Sequence, residues 1–179
     1  MSKDPNQPTY VVFDVETTGF KPEEGHVIIE LAGQKFTGPE VLAEFNHLVL
    51  PDRALDPAAV AVHGITEDLL AAEGRAVGDV IPEFLDFIGD SVLIGHNVPF
   101  DIGFMNSHLT KLERPLLANQ TLDTLELARK YLLLPSYSLK SVAQYLKVPQ
   151  PTAHRAMADV ETTRQVFLKL IERALKVGR

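Results

Sequence analysis

The amino-acid sequence predicts an α/β domain with a central mixed β-sheet flanked by helices. The first third of the chain contains apolar, β-branched runs separated by turn residues, a pattern typical of strands. The rest contains apolar residues at helical spacing, interrupted by one further short apolar run. The length of 179 residues fits one domain of ordinary size.

Strands are expected over residues 10–15, 26–33 and 41–50. Gly38 and Pro39 are typical turn residues, so the second and third strands are predicted to form a hairpin. A fourth strand is expected over residues 91–95, just before a helix. Strands first and strand–helix alternation afterwards indicate a sheet with both antiparallel and parallel neighbours.

The first predicted helix spans residues 77–88, because its apolar residues recur at helical spacing. Gly89 is a natural stop for it. Further helices are expected over residues 99–112, 122–133, 139–146 and about 155–176. Ser138 is the expected N-cap of the third of these.

Composition excludes several classes of protein. The chain has no cysteine, which rules out disulfides, thiolate metal sites and a cysteine nucleophile and is compatible with the cytoplasm. Residues 1–8 are polar and proline-rich and lack the apolar region of a signal peptide, so we expect a flexible lead before a single domain over residues 9–176. No apolar run approaches the length of a membrane span.

The net charge of −7 is unevenly distributed along the chain. Residues 1–103 contain 5 Lys/Arg and 18 Asp/Glu, whereas residues 104–179 contain 12 Lys/Arg and 6 Asp/Glu. An acidic half with metal ligands beside a basic half with phosphate contacts would produce this asymmetry. Ordinary variation of a solvated surface is the alternative.

The most informative segment is the apolar run that carries Asp14 and Glu16 and ends in Thr17-Thr18-Gly19. Side chains two apart on a strand point to the same face, so the two carboxylates lie side by side. Like charges at close range are unfavourable unless a cation neutralises them, and a divalent metal ion is the simplest candidate. The alternative is that both residues are solvated at the strand end, with Asp14 capping the turn.

Two further acidic signals follow. Asn97 and Pro99 are suited to the start of a helix whose first turn contains Asp101, where the helix dipole favours negative charge. His154 and Asp159 are five residues apart, and they converge only if His154 lies at or before a helix start. Taken singly, Asp101 is explained by capping, and His154 and Asp159 by a solvated helix surface.

The three motifs together are more specific than any of them alone. Asp-x-Glu-Thr-Thr-Gly, Asn-x-x-Phe-Asp and His-x-x-x-x-Asp occur in this order, and the set resembles the DnaQ-like 3′–5′ exonucleases of the DEDDh type. The sequence is most similar to the proofreading exonuclease subunits or domains of bacterial replicative polymerases, over roughly residues 9–172. The resemblance implies a ribonuclease H-like exonuclease fold.

The resemblance also implies roles for the matching residues. Asp14, Glu16, Asp101 and Asp159 would hold two divalent cations, Mg²⁺ or Mn²⁺, and His154 would be the general base. Two ions roughly 4 Å apart stabilise the attacking and the leaving oxygen of a phosphodiester. The expected product is a nucleoside 5′-monophosphate, released one at a time from a 3′ end.

Substrate contacts are implied at further positions. Thr17 and Thr18 would bind the terminal nucleotide, or else only form the turn that ends the strand. Phe20 would stack on the terminal base or else pack in the core. His63 matches a substrate-contacting position of the family, with a structural role as the alternative. Asn97, from the motif that contains Asp101, is expected to bind substrate. The cations expected to contact phosphates are Lys140, Arg155 and Arg129.

The sequence leaves three functions open. The leading hypothesis is hydrolysis of DNA 3′ ends in proofreading or repair, with a polymerase catalytic subunit as a candidate partner and no membrane partner. The nearest alternative is an RNA-directed 3′–5′ exonuclease of the same superfamily, because recognition of a 2′-hydroxyl depends on local geometry. A non-catalytic interaction module is the third, although such modules usually lack an acidic ligand that this chain retains.

Overall fold

The structure is a computed structural model that describes residues 8–150 and 155–177. Within these ranges five strands and seven α-helices follow one another. In chain order they are β1 (Tyr10–Thr17), β2 (Ile28–Thr37), β3 (Glu40–Leu48), α1 (Pro57–His63), α2 (Glu67–Glu73), α3 (Val77–Ile88), β4 (Val92–Gly95), α4 (Val98–Lys111), β5 (Thr121–Asp123), α5 (Thr124–Tyr131), α6 (Leu139–Leu146) and α7 (Ala156–Val177).

The strands form one sheet in the order β3-β2-β1-β4-β5. β1 pairs antiparallel with β2, and β2 pairs antiparallel with β3. β4 runs parallel to β1 on one side and to β5 on the other. The predicted mixed sheet flanked by helices is therefore confirmed. Since β1, β4 and β5 are parallel, their carboxyl ends meet at one edge of the sheet, which is where open α/β sheets place their sites.

The two faces of the sheet pack against different helices. Phe13 of β1 belongs to a buried cluster with Phe84 of α3 and Phe104 of α4. Val12, one position earlier, belongs to a separate cluster with Val160 of α7. Because side chains alternate along a strand, even-numbered residues of β1 face α7 and odd-numbered residues face α3 and α4. Asp14 is therefore expected to face α7.

Several helix ends agree with the sequence. The Ser138 hydroxyl accepts a hydrogen bond from the Ser141 amide at 3.2 Å and caps α6. Gly89 ends α3 with a positive φ of 49°. Asn97 precedes α4 as predicted, but its φ is 71° and its side chain makes no capping bond to the helix. That side chain is therefore not committed to the helix end.

Two short helices were not predicted. α1 begins after Asp56, whose carboxylate accepts from the Ala58 amide at 2.8 Å, and α2 begins after the N-cap Thr66. Each buries one residue, His63 in α1 and Leu70 in α2. With so narrow a buried face, neither segment has the apolar periodicity that marks a helix in sequence.

The predicted helix over residues 122–133 was wrong at its start. Thr121–Asp123 pair with β4 as the three-residue strand β5, and α5 begins only at Thr124. The Asp123 carboxylate marks the boundary by accepting from the Leu125 amide at 2.8 Å. So short a strand is defined by its neighbour in the sheet rather than by its own composition.

The predicted lead over residues 1–8 lies outside the described residues, except for the exposed Pro8. Among the residues that the structure describes, no helix combines the length and apolarity needed to cross a membrane.

Candidate active site

The centre of the site is at the carboxyl end of β1. Asp14 and Glu16 occupy even-numbered positions, so their carboxylates face the amino-terminal end of α7. Asp159 projects from the first turn of α7. The ligand oxygens of Asp14, Glu16 and Asp159 all lie within 4.8 Å of one another. The structure thus brings together three of the carboxylates that the sequence singled out.

Asp101 approaches the same strand from α4. It is buried in the first turn of the helix, and its Oδ1 accepts from the Val15 amide at 3.1 Å. Val15 lies between Asp14 and Glu16, so this bond fastens α4 to the strand segment that carries both carboxylates. The sequence analysis could explain Asp101 simply by its favourable position at the positive end of the helix dipole. The bond to Val15 gives it a second role, because it links α4 to β1.

The electrostatics of these carboxylates is unfavourable without a cation. Burial, and then the repulsion of Asp101, Asp159 and Glu16, raise the pKa of Asp14 well above its usual range. Burial and the nearby Asp159 raise the pKa of Glu16 to about 7. Burial raises the pKa of Asp101 to about 8, although the bond from the Val15 amide opposes the shift.

These residues fit a divalent metal site. A bound cation would favour the ionised form of each carboxylate and offset both burial and mutual repulsion. Carboxylate oxygens are the ligands that Mg²⁺ and Mn²⁺ prefer in proteins. An isolated cluster of exposed acids would not show the raised pKa values of Asp14 and Glu16, because solvent would screen the repulsion.

His154, the predicted general base, lies outside the described residues. It immediately precedes Arg155, the first described residue of this part of the chain. Its role stays a prediction.

The turn after β1 is tightly fastened. The Thr18 hydroxyl accepts from the Val27 amide at 3.0 Å and contacts His26 Nδ1 at 3.1 Å. The Thr17 hydroxyl donates to the Gly19 carbonyl at 2.7 Å. These bonds hold the turn itself, and the predicted contact of Thr17 and Thr18 with a terminal nucleotide stays a prediction.

Phe20 stands out on this turn. Its side chain is 82% exposed, which contradicts the alternative that it packs in the core. An exposed phenyl ring is unfavourable in water and is available to stack on a base.

His63 lies at the end of α1 and is buried, with only 5% of its surface exposed. Its Nδ1 accepts from the Ile65 amide at 3.0 Å, and burial lowers the pKa of the imidazole. In the neutral ring the proton must then be on Nε2. Nε2 is buried and has no hydrogen-bond partner among the described residues. His63 Nε2 is therefore a buried donor without a partner among the described residues, and the predicted contact of His63 with substrate stays a prediction.

The other predicted contacts differ in their surroundings. Asn97 is exposed, and its backbone amide donates to the Asp123 carboxylate at 2.9 Å. Lys140 and Arg129 are exposed, on α6 and α5 respectively. Arg155 is paired with Glu30, which sequence analysis did not single out.

Glu30 is a buried residue beside the site that the sequence analysis did not single out. It lies in the run Ile28-Ile29-Glu30-Leu31-Ala32 and is completely buried. A charged residue inside an otherwise apolar strand is rare without a partner, and this contrast was the available signal. In the sheet, Glu30 lies directly opposite Glu16.

Comparison with known proteins agrees with this geometry. The family model RNase_T, described as exonuclease, matches residues 11–167. The chain is 38% identical over 175 residues to the PolC-type DNA polymerase III of Thermotoga maritima, covering 95% of this chain and 12% of the relative. It is 36% identical over 165 residues to the DNA polymerase III subunit epsilon of Aquifex aeolicus, covering 92% of this chain and 81% of that subunit.

Among solved structures, exonuclease X in complex with 5′ overhanging duplex DNA matches with a TM-score of 0.72 and 27% identity, covering 91% of both chains. The chain spans about an eighth of the PolC-type polymerases but most of the epsilon subunit. Sequence family, fold and acidic cluster therefore agree, and the chain belongs to the RNase_T family of DnaQ-like exonucleases.

Proposed function

We propose that this protein is a metal-dependent 3′–5′ exonuclease that removes nucleotides from single-stranded or frayed DNA ends. The observation that carries the proposal is the convergence of Asp14, Glu16 and Asp159 within 4.8 Å, with Asp101 bonded to the same strand. Relatives that are polymerase III proteins support a DNA substrate. An association with a polymerase catalytic subunit, in proofreading, is part of the proposal.

The four carboxylates would hold two divalent cations, Mg²⁺ or Mn²⁺. When bound, such ions stabilise the negative charge that develops on the phosphate and on the leaving oxygen. The protein fixes the four carboxylates on separate elements: β1 holds the half-buried Asp14 and Glu16, α7 holds the half-buried Asp159, and the bond to Val15 holds the buried Asp101.

His154 is the proposed general base. A histidine near its ordinary pKa can accept a proton from the attacking water at neutral pH. Water then adds to phosphorus, the bond between phosphorus and the 3′ oxygen of the preceding nucleotide breaks, and that oxygen takes up a proton. The products are a nucleoside 5′-monophosphate and a chain shortened by one nucleotide.

The end of the substrate is proposed to lie between Phe20 and His63. The exposed Phe20 ring would stack on a terminal base, and the buried Nε2 of His63 would donate to an oxygen of the terminal nucleotide. The exposed side chains of Asn97 and Lys140 would contact the strand further from its end.

The proposal is tested with 5′-labelled substrates of equal sequence: single-stranded DNA, duplex DNA with a mismatched or a matched 3′ end, and single-stranded RNA. Each is incubated with Mg²⁺, with Mn²⁺ or with a chelator. We expect a single-nucleotide ladder on single-stranded and mismatched DNA only when metal is present. A ladder on RNA but not on DNA would assign the chain to the RNA-directed alternative, and no hydrolysis with either metal would indicate a binding module.

A further inference from the structure

Glu30 is a third carboxylate on the sheet face that carries Asp14 and Glu16. It pairs with Glu16 across β1 and β2, so both side chains point toward α7. Its negative charge raises the pKa of Asp14 and of Glu16, after larger contributions from burial and nearer acids. A buried, like-charged residue beside an acidic cluster requires a specific compensating contact.

Arg155 supplies most of that contact. Its Nε lies 3.0 Å from both carboxylate oxygens of Glu30, and its Nη2 donates to Oε1 at 2.7 Å. The amide of Ala156, the first residue of α7, donates to Oε2 at 3.1 Å. Both oxygens of Glu30 are thus engaged, and Glu30 caps a helix from a strand 126 residues away.

The same contact continues into the metal cluster. The carbonyl of Arg155 accepts from the Asp159 amide at 3.2 Å and from the Ala158 amide at 2.9 Å. Fixing Arg155 therefore fixes the first turn of α7, from which Asp159 reaches Asp14 and Glu16. His154, the proposed base, is the next residue toward the amino terminus.

The competing explanation is that Arg155 contacts substrate phosphates, as the sequence analysis expected. Its side chain is 39% exposed, so part of the guanidinium faces solvent. Its Nε and Nη2, however, already donate to the Glu30 carboxylate, so the Nε/Nη2 edge of the guanidinium is not available to a phosphate and only Nη1 carries no bond to Glu30.

We propose that Glu30 and Arg155 are positioning residues: the pair anchors the start of α7 to β2 and thereby places Asp159 for metal binding. This inference rests on the proposed exonuclease function. It predicts that Arg155 acts through Glu30 rather than by binding substrate.

Arg164 provides a matched control. It also lies on α7 and donates from Nε, at 2.9 Å, to a buried side chain of β2, that of Gln34. It is one turn and more beyond Asp159, away from the helix start. Replacing Arg164 removes a comparable link between α7 and β2 without touching the first turn of the helix.

The test compares Arg155→Gln, Arg155→Lys, Glu30→Gln, the double variant Glu30→Gln/Arg155→Gln and Arg164→Gln. Mn²⁺ affinity is measured by electron paramagnetic resonance of the free ion, and kcat and KM on single-stranded DNA at saturating Mn²⁺. We expect Arg155→Gln to weaken Mn²⁺ binding and lower kcat by roughly 10–100-fold, the effect typical of residues that orient metal ligands. KM should change by less than threefold.

Arg155→Lys should recover part of the loss, because it restores the charge but not the Nε/Nη2 edge. The double variant should be no worse than Arg155→Gln, since the two residues act as one unit. Arg164→Gln should retain wild-type Mn²⁺ affinity and kcat even if its melting temperature falls.

A raised KM with unchanged kcat and Mn²⁺ affinity in Arg155→Gln would overturn the inference and identify a phosphate contact. Equal losses in Arg164→Gln would overturn it too, since any link between α7 and β2 would then suffice. If Arg155→Gln does not fold, the Mn²⁺ affinity, kcat and KM of Glu30→Gln and Arg155→Lys test the inference instead. A wild-type protein that binds Mn²⁺ but hydrolyses no substrate would refute the proposed function. The Mn²⁺ affinities of the variants would still show whether Glu30 and Arg155 position the metal site.

Discussion

Glu16 and Glu30 lie directly opposite each other on β1 and β2, yet their carboxylates have opposite partners. Glu30 is bonded to Arg155 and to the first amide of α7, whereas Glu16 is grouped with the carboxylates of Asp14 and Asp159. The protein neutralises Glu30, whereas Glu16 would be neutralised by a cation in the proposed metal site. Two neighbouring strands thus carry one carboxylate with a positively charged partner, Glu30, and one beside other carboxylates, Glu16.

The raised pKa values of Glu16 and Asp101 predict a pH dependence of stability. Burial raises the pKa of Glu16 to about 7 and that of Asp101 to about 8, while unfolded carboxyls titrate near 4. Between these values the two carboxyls bind more protons in the folded than in the unfolded state, so their contribution to the free energy of unfolding falls as pH rises. The penalty is absent below about pH 4 and complete above about pH 8.

We expect the metal-free protein to melt at a lower temperature at pH 8 than at pH 5.5, and added Mn²⁺ to restore most of the difference at pH 8. Thermal unfolding in a chelator and in Mn²⁺ measures both effects. The double variant Asp14→Asn/Glu16→Gln should show a flatter pH profile and a smaller response to Mn²⁺. An equal profile in the variant would mean that the pH dependence originates elsewhere.

Much of the fold followed from local patterns, and the departures have one cause. Apolar periodicity identified α3 and capping chemistry identified α6, because these helices bury a broad face or carry their own signals. α1, α2 and β5 were missed because each depends on tertiary surroundings: a single buried residue in the two helices and a neighbouring strand for β5. Periodicity is informative only where the buried face is wide.

The site shows the same division. Asp14 and Glu16 could be placed on one face from the period of a strand alone, and the structure confirms that they share it with Asp159. The pairing of Glu30 with Arg155 could not be derived, because it joins residues 125 positions apart through the register of β1 with β2. Sequence motifs identify ligands, whereas the residues that hold the ligands in place depend on topology.

Removing one carboxylate of the proposed metal site should abolish activity without loss of the fold. Asp159→Asn keeps the size of the side chain but removes one of three converging negative charges. We expect kcat to fall by at least roughly 10²–10³-fold, the scale seen when one electrostatic stabiliser is lost, and the melting temperature in chelator to stay equal or rise. Asp90→Asn, an exposed acid before β4 at the opposite end of the sheet, is the control and should retain activity. Wild-type turnover in Asp159→Asn would refute the role of this carboxylate.

Gly19 should not tolerate a side chain. A Cβ built on it would clash with the imidazole ring of His26, which covers the turn after β1. We expect Gly19→Ala to lower the free energy of unfolding by about 1–3 kcal/mol, as overpacking does. His26→Ala removes the obstructing ring. Adding Gly19→Ala to His26→Ala should therefore lower the free energy of unfolding much less than Gly19→Ala does in the wild-type protein. Chemical denaturation measures all four proteins, and simple additivity of the two changes would contradict the proposed clash.

Lys140 should contribute to binding through charge alone. It is exposed at the start of α6, and a phosphate contact there releases a counterion. Lys140→Gln should weaken the binding of single-stranded DNA and reduce the slope of log K against log salt by about 1. Fluorescence anisotropy in Ca²⁺ at several salt concentrations tests this. Lys176→Gln, at the far end of α7 and paired with Glu172, should leave the slope unchanged. An unaltered slope in Lys140→Gln would exclude the contact.

Phe20 should act on substrate binding without acting on stability. Its ring is 82% exposed, so Phe20→Ala should change the free energy of unfolding by less than about 0.5 kcal/mol. Base stacking on an aromatic ring contributes about 1–3 kcal/mol, so KM on single-stranded DNA should rise roughly 10-fold. Phe20→Tyr should behave as wild type, because it retains an aromatic face. Leu133→Ala removes another exposed apolar side chain, 94% exposed in the loop after α5, and should leave KM unchanged. Equal effects of Phe20→Ala and Leu133→Ala would show that surface apolarity, and not stacking, accounts for binding.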